Sequence, residues 1–166
     1  MPIRRLPLLA FAVVAAWLAG KLLLTWPLLP DRVAVHFNAA GEPDGWAGRA
    51  SLALQIGGLL AAFALLFAGA GWLDRLPDRY LNLPNRAYWL APGRRAASME
   101  VLRDWFRWFV VAVLAAVAAV ATAALNANLI DPPHFALSLP LVLALILVPT
   151  LAMLAWLYRR FRAPPR

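Results

Sequence analysis

Four long apolar runs alternate with polar, turn-rich segments along the chain, and this alternation predicts its architecture. Residues 6–26 form the first run, broken only by Lys21 near its far end. Twenty or so apolar residues span about 30 Å as a helix, the thickness of a bilayer's hydrocarbon core. The run is longer than the apolar region of a signal peptide and lacks a small-residue cleavage site, so a retained span is expected. Pro27 and Pro30 end it. Residues 51–73 form the second run. Its pairs Gly57-Gly58 and Gly69-Ala70-Gly71 are small enough to let helix backbones approach closely in lipid. Residues 105–125, rich in Ala and Val, form the third, and residues 135–158 the fourth. Pro149 inside the fourth removes the amide that would bond back to residue 145 and is expected to bend it. Trp17, in the middle of the first run, is expected to pack against a neighbouring helix. Gln55 and Thr122 are expected to hydrogen-bond between helices.

The polar segments carry the remaining pattern. From Leu29 to Trp46 the chain reads LPDRVAVHFNAAGEPDGW. Val33 to Phe37 alternates weakly, as an extended stretch would, and Gly41, Pro43 and Asp44-Gly45 are turn residues. Residues 74–104 form the longest polar segment. Asn82-Leu83-Pro84-Asn85 and Ala91-Pro92-Gly93 read as turns, with Tyr80, Tyr88 and Trp89 as interfacial aromatics between them. Ser98 is placed to cap a helix beginning at Met99. That helix, with Val101, Leu102, Trp105, Phe106 and Phe109 on one face, would lie at the interface and bend into the third span. The chain as a whole, residues 1–166, is expected to be one all-α integral membrane domain of four transmembrane helices.

Composition sharpens this picture. Hydrophobic residues make up 63% of the chain and charged residues 14%, against about 45–50% and 25% in soluble domains. Lipid is therefore the expected solvent. The absence of cysteine excludes disulfides, thiolate metal sites and a cysteine nucleophile. The net charge of +8 would suit nucleic acid, but its distribution points elsewhere. With four spans, thirteen of the sixteen Lys and Arg, from Arg4-Arg5 through the middle loop to Arg166, fall on one side; the other two loops hold only Arg32 and Arg49. This is the positive-inside pattern, and it predicts both ends and the loop between helices 2 and 3 in the cytoplasm, with the loop between helices 1 and 2 outside. The basic residues are anchors to anionic lipid, and no nucleic-acid partner is expected. No Asp, Glu or His falls in the middle of a span, which argues against an ion-coupled transporter acting alone.

Candidate chemistry concentrates in the first loop. His36, Asn38, Glu42 and Asp44 are the residue types that bind metals, but one histidine with scattered carboxylates falls short of the three or four ligands a site needs, and neither a metal nor a cofactor is expected. In the structural reading, Asp44 caps the second span, His36 bonds a loop carbonyl and Gly41 supplies a positive φ. In the enzymatic reading, His36 is a general base oriented by Asp44, acting on a lipid-linked substrate, with no nucleophile nearby and hence no catalytic residue to assign. Asp131 and His134 flank Pro132-Pro133 and would either join the first loop or form a tight turn.

Pro30, His36-Phe37-Asn38, Gly41 and Pro43-Asp44-Gly45-Trp46, with their flanking spans, resemble a bacterial membrane family known as domain of unknown function 1648. Asn82-Leu83-Pro84-Asn85-Arg86-Ala87-Tyr88-Trp89 resembles that family's inner-loop segment. The resemblance implies a multi-pass protein of the bacterial cytoplasmic (inner) membrane and supplies no reaction. The same domain occurs at the amino end of the sporulation-delaying-protein immunity family, larger membrane proteins that protect a cell from a secreted toxin and relay its presence to a repressor. Three readings follow. In the first, a non-enzymatic membrane protein contacts a peptide, an envelope component or another membrane protein through His36, Asn38, Gly41, Pro43, Asp44 and Trp46 outside, and through Asn82, Pro84, Asn85, Tyr88 and Trp89 inside. Its role would be envelope sensing, signalling or toxin immunity. The second is a membrane enzyme or metal-dependent site built on His36 and Asp44, and the third an accessory subunit of a transporter.

Overall fold

A computed structural model describes residues 5–162. Helix α1 (Leu6–Thr25) ends where Pro27 cannot continue the ladder; the Thr25 hydroxyl donates to the carbonyl of Lys21 at 2.8 Å, and a 3-10 turn covers Trp26–Leu28. Strands β1 (Arg32–Phe37) and β2 (Pro43–Gly48) form an antiparallel hairpin, in register from Arg32 opposite Gly48 to Phe37 opposite Pro43, with irregularities on either side of His36. Helix α2 (Arg49–Gly69) follows directly and runs on as a 3-10 stretch to Arg75. A short turn of helix α3 (Arg86–Trp89), the long helix α4 (Pro92–Ala127) and helix α5 (Leu139–Arg162) complete the chain.

Four helical segments, Leu6–Leu28, Arg49–Arg75, Pro92–Ala127 and Leu139–Arg162, are long and apolar enough to cross a membrane, as expected from the apolar runs. Helix α4 is the centre of the bundle, packing on α1, α2 and α5. Successive helices run in opposite directions, so two hydrophobic cores form at opposite ends. Leu18, Leu29, Val33, Leu52, Ile56, Ala118 and Leu125 gather beneath the hairpin. Leu81, Leu83, Trp89, Leu90, Met99, Leu102 and Phe161 gather at the end that carries most of the arginines. Around and between these cores the helices turn leucines outward: Leu24, Leu54 and Leu65 are each about three-quarters exposed, and none of the most apolar window of α5 is buried. Soluble bundles bury such faces; here they suit hydrocarbon, where leucine has no reason to hide.

Several expectations require correction. The chain is not purely helical, because residues 32–48 pair as a sheet. Val33 and Val35 favour extended backbone, and Asn38 and Gly41 close the turn. The helix that leads into the third span begins at Pro92 rather than Met99, and as α4 it is continuous over 36 residues. Pro92 sits at its start, where a missing N–H costs nothing, and Arg, Ala, Met and Glu sustain the helix well outside the apolar run. Ser98 is inside α4 rather than at its cap, and its hydroxyl donates to the carbonyl of Trp89 at 2.8 Å. The fourth helix begins at Leu139 rather than residue 135, because Phe135 is held by the hairpin. Trp17 is 63% exposed and only borders α4, at a groove it lines with Ala115, Ala118 and Ala119. Gln55 donates within its own helix, to the Ser51 hydroxyl at 3.4 Å, and the buried Thr122 hydroxyl has no partner among the described residues. Arg4 and Arg166, part of the charge asymmetry, lie outside the described residues.

Candidate functional site

The hairpin is a built structure rather than a loose loop. At its turn, Asn38 organises the backbone: its Oδ1 accepts from the amides of Ala40 (2.9 Å) and Glu42 (3.0 Å), and its Nδ2 donates to Glu42 Oε2 at 3.0 Å. Side-chain carbonyls of Asn mimic a backbone acceptor two residues ahead, which is why this residue type nucleates such turns. Gly41 has φ +82°, the left-handed region expected for it. A Cβ there would lie 2.5 Å from the carbonyl oxygen of Phe135 and 2.9 Å from the His134 ring. Substituting Gly41 by Ala is therefore expected to destabilise the chain by about 1–3 kcal/mol through backbone strain and collision. A thermal melt in detergent that matched the parent protein would refute this.

The segment before α5 completes the hairpin, in line with one of the two expectations for Asp131 and His134. The Phe135 amide donates to the carbonyl of Gly41 at 2.9 Å, and the rings of Phe135 and Phe37 stack with centroids 5.4 Å apart. At the other flank, Asn128 closes the free edge of β1. Its Oδ1 accepts from the Ala34 amide at 2.7 Å, and its Nδ2 donates to the Ala34 carbonyl at 2.9 Å and to the Ala124 carbonyl at 3.0 Å. One carboxamide thus does what a neighbouring strand would do, leaving neither main-chain group of the fully buried Ala34 unpaired. Asn128 and Phe135, unlike Asp131 and His134 between them, are not singled out by the sequence pattern. An amide just beyond a span, facing a loop with an unpaired strand edge, was the available signal.

His36 and Asp44 face each other across the hairpin, His36 Nδ1 lying 2.5 Å from Asp44 Oδ1, with side chains 72% and 46% exposed. Gly45 lies opposite His36, and a Cβ on it would come within 2.8 Å of the His36 Cβ, so the pair is possible only with glycine there. Asp44 does not cap α2, and His36 bonds no loop carbonyl: strand pairing turns both outward toward each other. Pro43 opens β2. Trp46, 41% exposed, carries the Arg32 guanidinium 5.5 Å from its ring centroid. Arg49 sits over Trp26 and lies 3.4 Å from Asp31. Among the described residues, no group of three or more His, Asp or Glu is close enough to hold a metal. The chemistry available at this end is an oriented imidazole, several carboxylates and an exposed indole.

The second candidate cluster lies at the opposite end of the bundle, and of its five residues Trp89 is the one that is buried. Asn85 adopts the left-handed conformation, φ 51°, and its Nδ2 donates to the carbonyl of Arg162 at 2.5 Å. Trp89 is 7% exposed; its Nε1 donates to the carbonyl of Phe161 at 2.8 Å, and its ring meets the Phe161 ring edge-on at 5.4 Å. Tyr88 packs edge-on to Trp89 beneath Arg94, 3.9 Å from its ring centroid. Pro84 is half-buried and Asn82 exposed. Arg95 reaches Asp78 at 3.0 Å, and Arg103 pairs with Asp74. Motif 82–89 therefore fastens the last turn of α5 to α4, and most of its polar capacity is spent within the chain.

Residues 8–61 match a family model described as Domain of unknown function (DUF1648), the family that the first loop resembles. The match takes in α1, the hairpin and over half of α2; motif 82–89 lies beyond it. No curated protein and no solved structure matches the chain.

Proposed function

With residues 8–61 taken as a domain of this family, we propose that the chain is a non-enzymatic, multi-pass protein of the bacterial cytoplasmic membrane. Its hairpin stands at the extracytoplasmic face and recognises a peptide or another envelope component, and its arginine-rich segments anchor it at the inner face. Sensing, signalling and toxin immunity all fall within such a role. The supporting observation is the hairpin itself: a sheet clamped to the membrane bundle by Asn128 and Phe135, presenting His36, Asp44 and Trp46 outward at the end remote from most arginines. Preorganisation of this kind lowers the cost of binding, since little is left to order when a ligand arrives. The Lys and Arg distribution supplies the sidedness.

The chain has no cysteine, so single cysteines report sidedness directly. Ala39 and Ala96 are both exposed. In intact cells a membrane-impermeant maleimide is expected to label Ala39→Cys, and to label Ala96→Cys only after lysis. The reverse pattern would overturn the proposed orientation.

The closeness of His36 to Asp44 also favours a second reading, in which the carboxylate orients the imidazole as a general base for a membrane-borne substrate. This reading requires a conversion that His36→Gln abolishes while the protein stays in the membrane; turnover unaffected by that change would dismiss it.

A further inference from the structure

A groove of about 310 Å³ runs beneath the hairpin, between the last turns of α4 and the first turns of α5. Its walls are apolar and include Val120 and Ala124 from α4, Val142 from α5, and Phe135. His36 and Asn38 are the polar residues that line it. A concave, mostly apolar site with one or two polar groups is the usual form of a small-molecule site between helices.

The polar groups narrow the ligand. Asn38 is spent, its oxygen on two amides and its nitrogen on Glu42. His36 is not. Nδ1 faces a carboxylate oxygen at 2.5 Å, the contact made by the tautomer with its hydrogen on Nδ1, and in that tautomer Nε2 is left as an acceptor. The ligand's complementary group is therefore a hydrogen-bond donor. Charge selects further: around the hairpin, Asp31, Glu42, Asp44 and Asp131 outnumber Arg32 and Arg49, so a net anionic head is disfavoured. The walls belong to two helices fit to cross a membrane, so the molecule that reaches them is one that dissolves in lipid.

We propose that this groove takes the hydrocarbon chain of a lipid whose zwitterionic head bears N–H donors, an aminophospholipid, with the head donating to His36 Nε2 beside Asp44. The proposal rests on the reading of the hairpin as a recognition element but not on which face of the membrane it occupies.

The test uses the full chain in nanodiscs containing equal amounts of phosphatidylethanolamine, phosphatidylcholine and phosphatidylglycerol with matched acyl chains. Lipids retained after gentle release are then counted by native mass spectrometry. Phosphatidylethanolamine is expected to be retained about three- to tenfold over phosphatidylcholine, which carries the same charge but no N–H, as one hydrogen bond would give. His36→Phe should remove the preference, with the helical circular dichroism and melt unchanged; Val120→Trp, which fills the groove, should remove the adduct. Equal retention of the two lipids, a preference for phosphatidylglycerol, or a preference that survives both variants would overturn the proposal. Orientation in cells is read separately by the cysteine labels, so a failure of sidedness and a failure of lipid selection are distinguishable.

Discussion

Asn128→Leu is expected to loosen the hairpin from the bundle and to cost about 2–4 kcal/mol. Leucine has as many side-chain heavy atoms as asparagine and leaves no cavity, so the loss is chiefly one of hydrogen bonding. The Ala34 amide and carbonyl, buried against the end of α4, would each lose their hydrogen-bond partner. A buried polar group left unpaired costs about 1–3 kcal/mol, and here there are two. Asn128→Asp should cost at least as much, since a carboxylate still accepts from the Ala34 amide but is a buried charge facing the Ala34 and Ala124 carbonyls. Thermal unfolding in detergent measures the loss, and hydrogen exchange at Ala34 localises it. An unchanged melt with the Ala34 amide still protected would show that Asn128 is not the clamp.

Trp89→Ala is expected to cost about 3–5 kcal/mol, the range for removing a large buried aromatic. The substitution deletes the bond to the Phe161 carbonyl, the edge-on ring contact and the Arg160 guanidinium's position over the indole. The consequence is local as well as global. Phe161 is the buried residue of α5, and the apolar stretch before it buries nothing. Without Trp89 the last turns of α5 should detach and unwind, so that the bonds after Arg159, Arg160 and Arg162, whose side chains are already exposed, become cleavable by trypsin. A cleavage rate and melting temperature equal to those of the parent would refute this. Trp89→Phe, which keeps a ring but not the N–H donor, should lose less.

The parts legible in the sequence and the parts that were not differ for a physical reason. Helices that cross a bilayer announce themselves, because lipid demands about twenty apolar residues in a row. Their true ends are less visible. Helix α4 begins at Pro92, where composition is polar and only propensity and the proline speak, so the sequence pattern places its start at Met99, behind Ser98, seven residues late. Strand β1 showed in Val33 and Val35, but β2, with the sequence PDGWAG, has no β-branched residue. It is a strand because β1 pairs with it. His36 and Asp44 were singled out together, yet the contact between them depends on the hairpin register and on Gly45 opposite His36. Asn128 lies 94 residues from Ala34, so an amide past the end of the third span gains its meaning only when it is set against the unpaired edge of β1. Trp89 read as an interfacial aromatic, but its surroundings are set by Phe161, 72 residues away.

Both fastenings sit on the same helix. Ser98 touches the Trp89 turn near one tip of α4, and Asn128 holds the hairpin just past the other. Thirty residues of helix separate them, about 45 Å at 1.5 Å per residue, with no proline or glycine to serve as a joint. Mechanically α4 is one stiff strut from the Trp89 cluster to the hairpin, without a hinge of its own along that length.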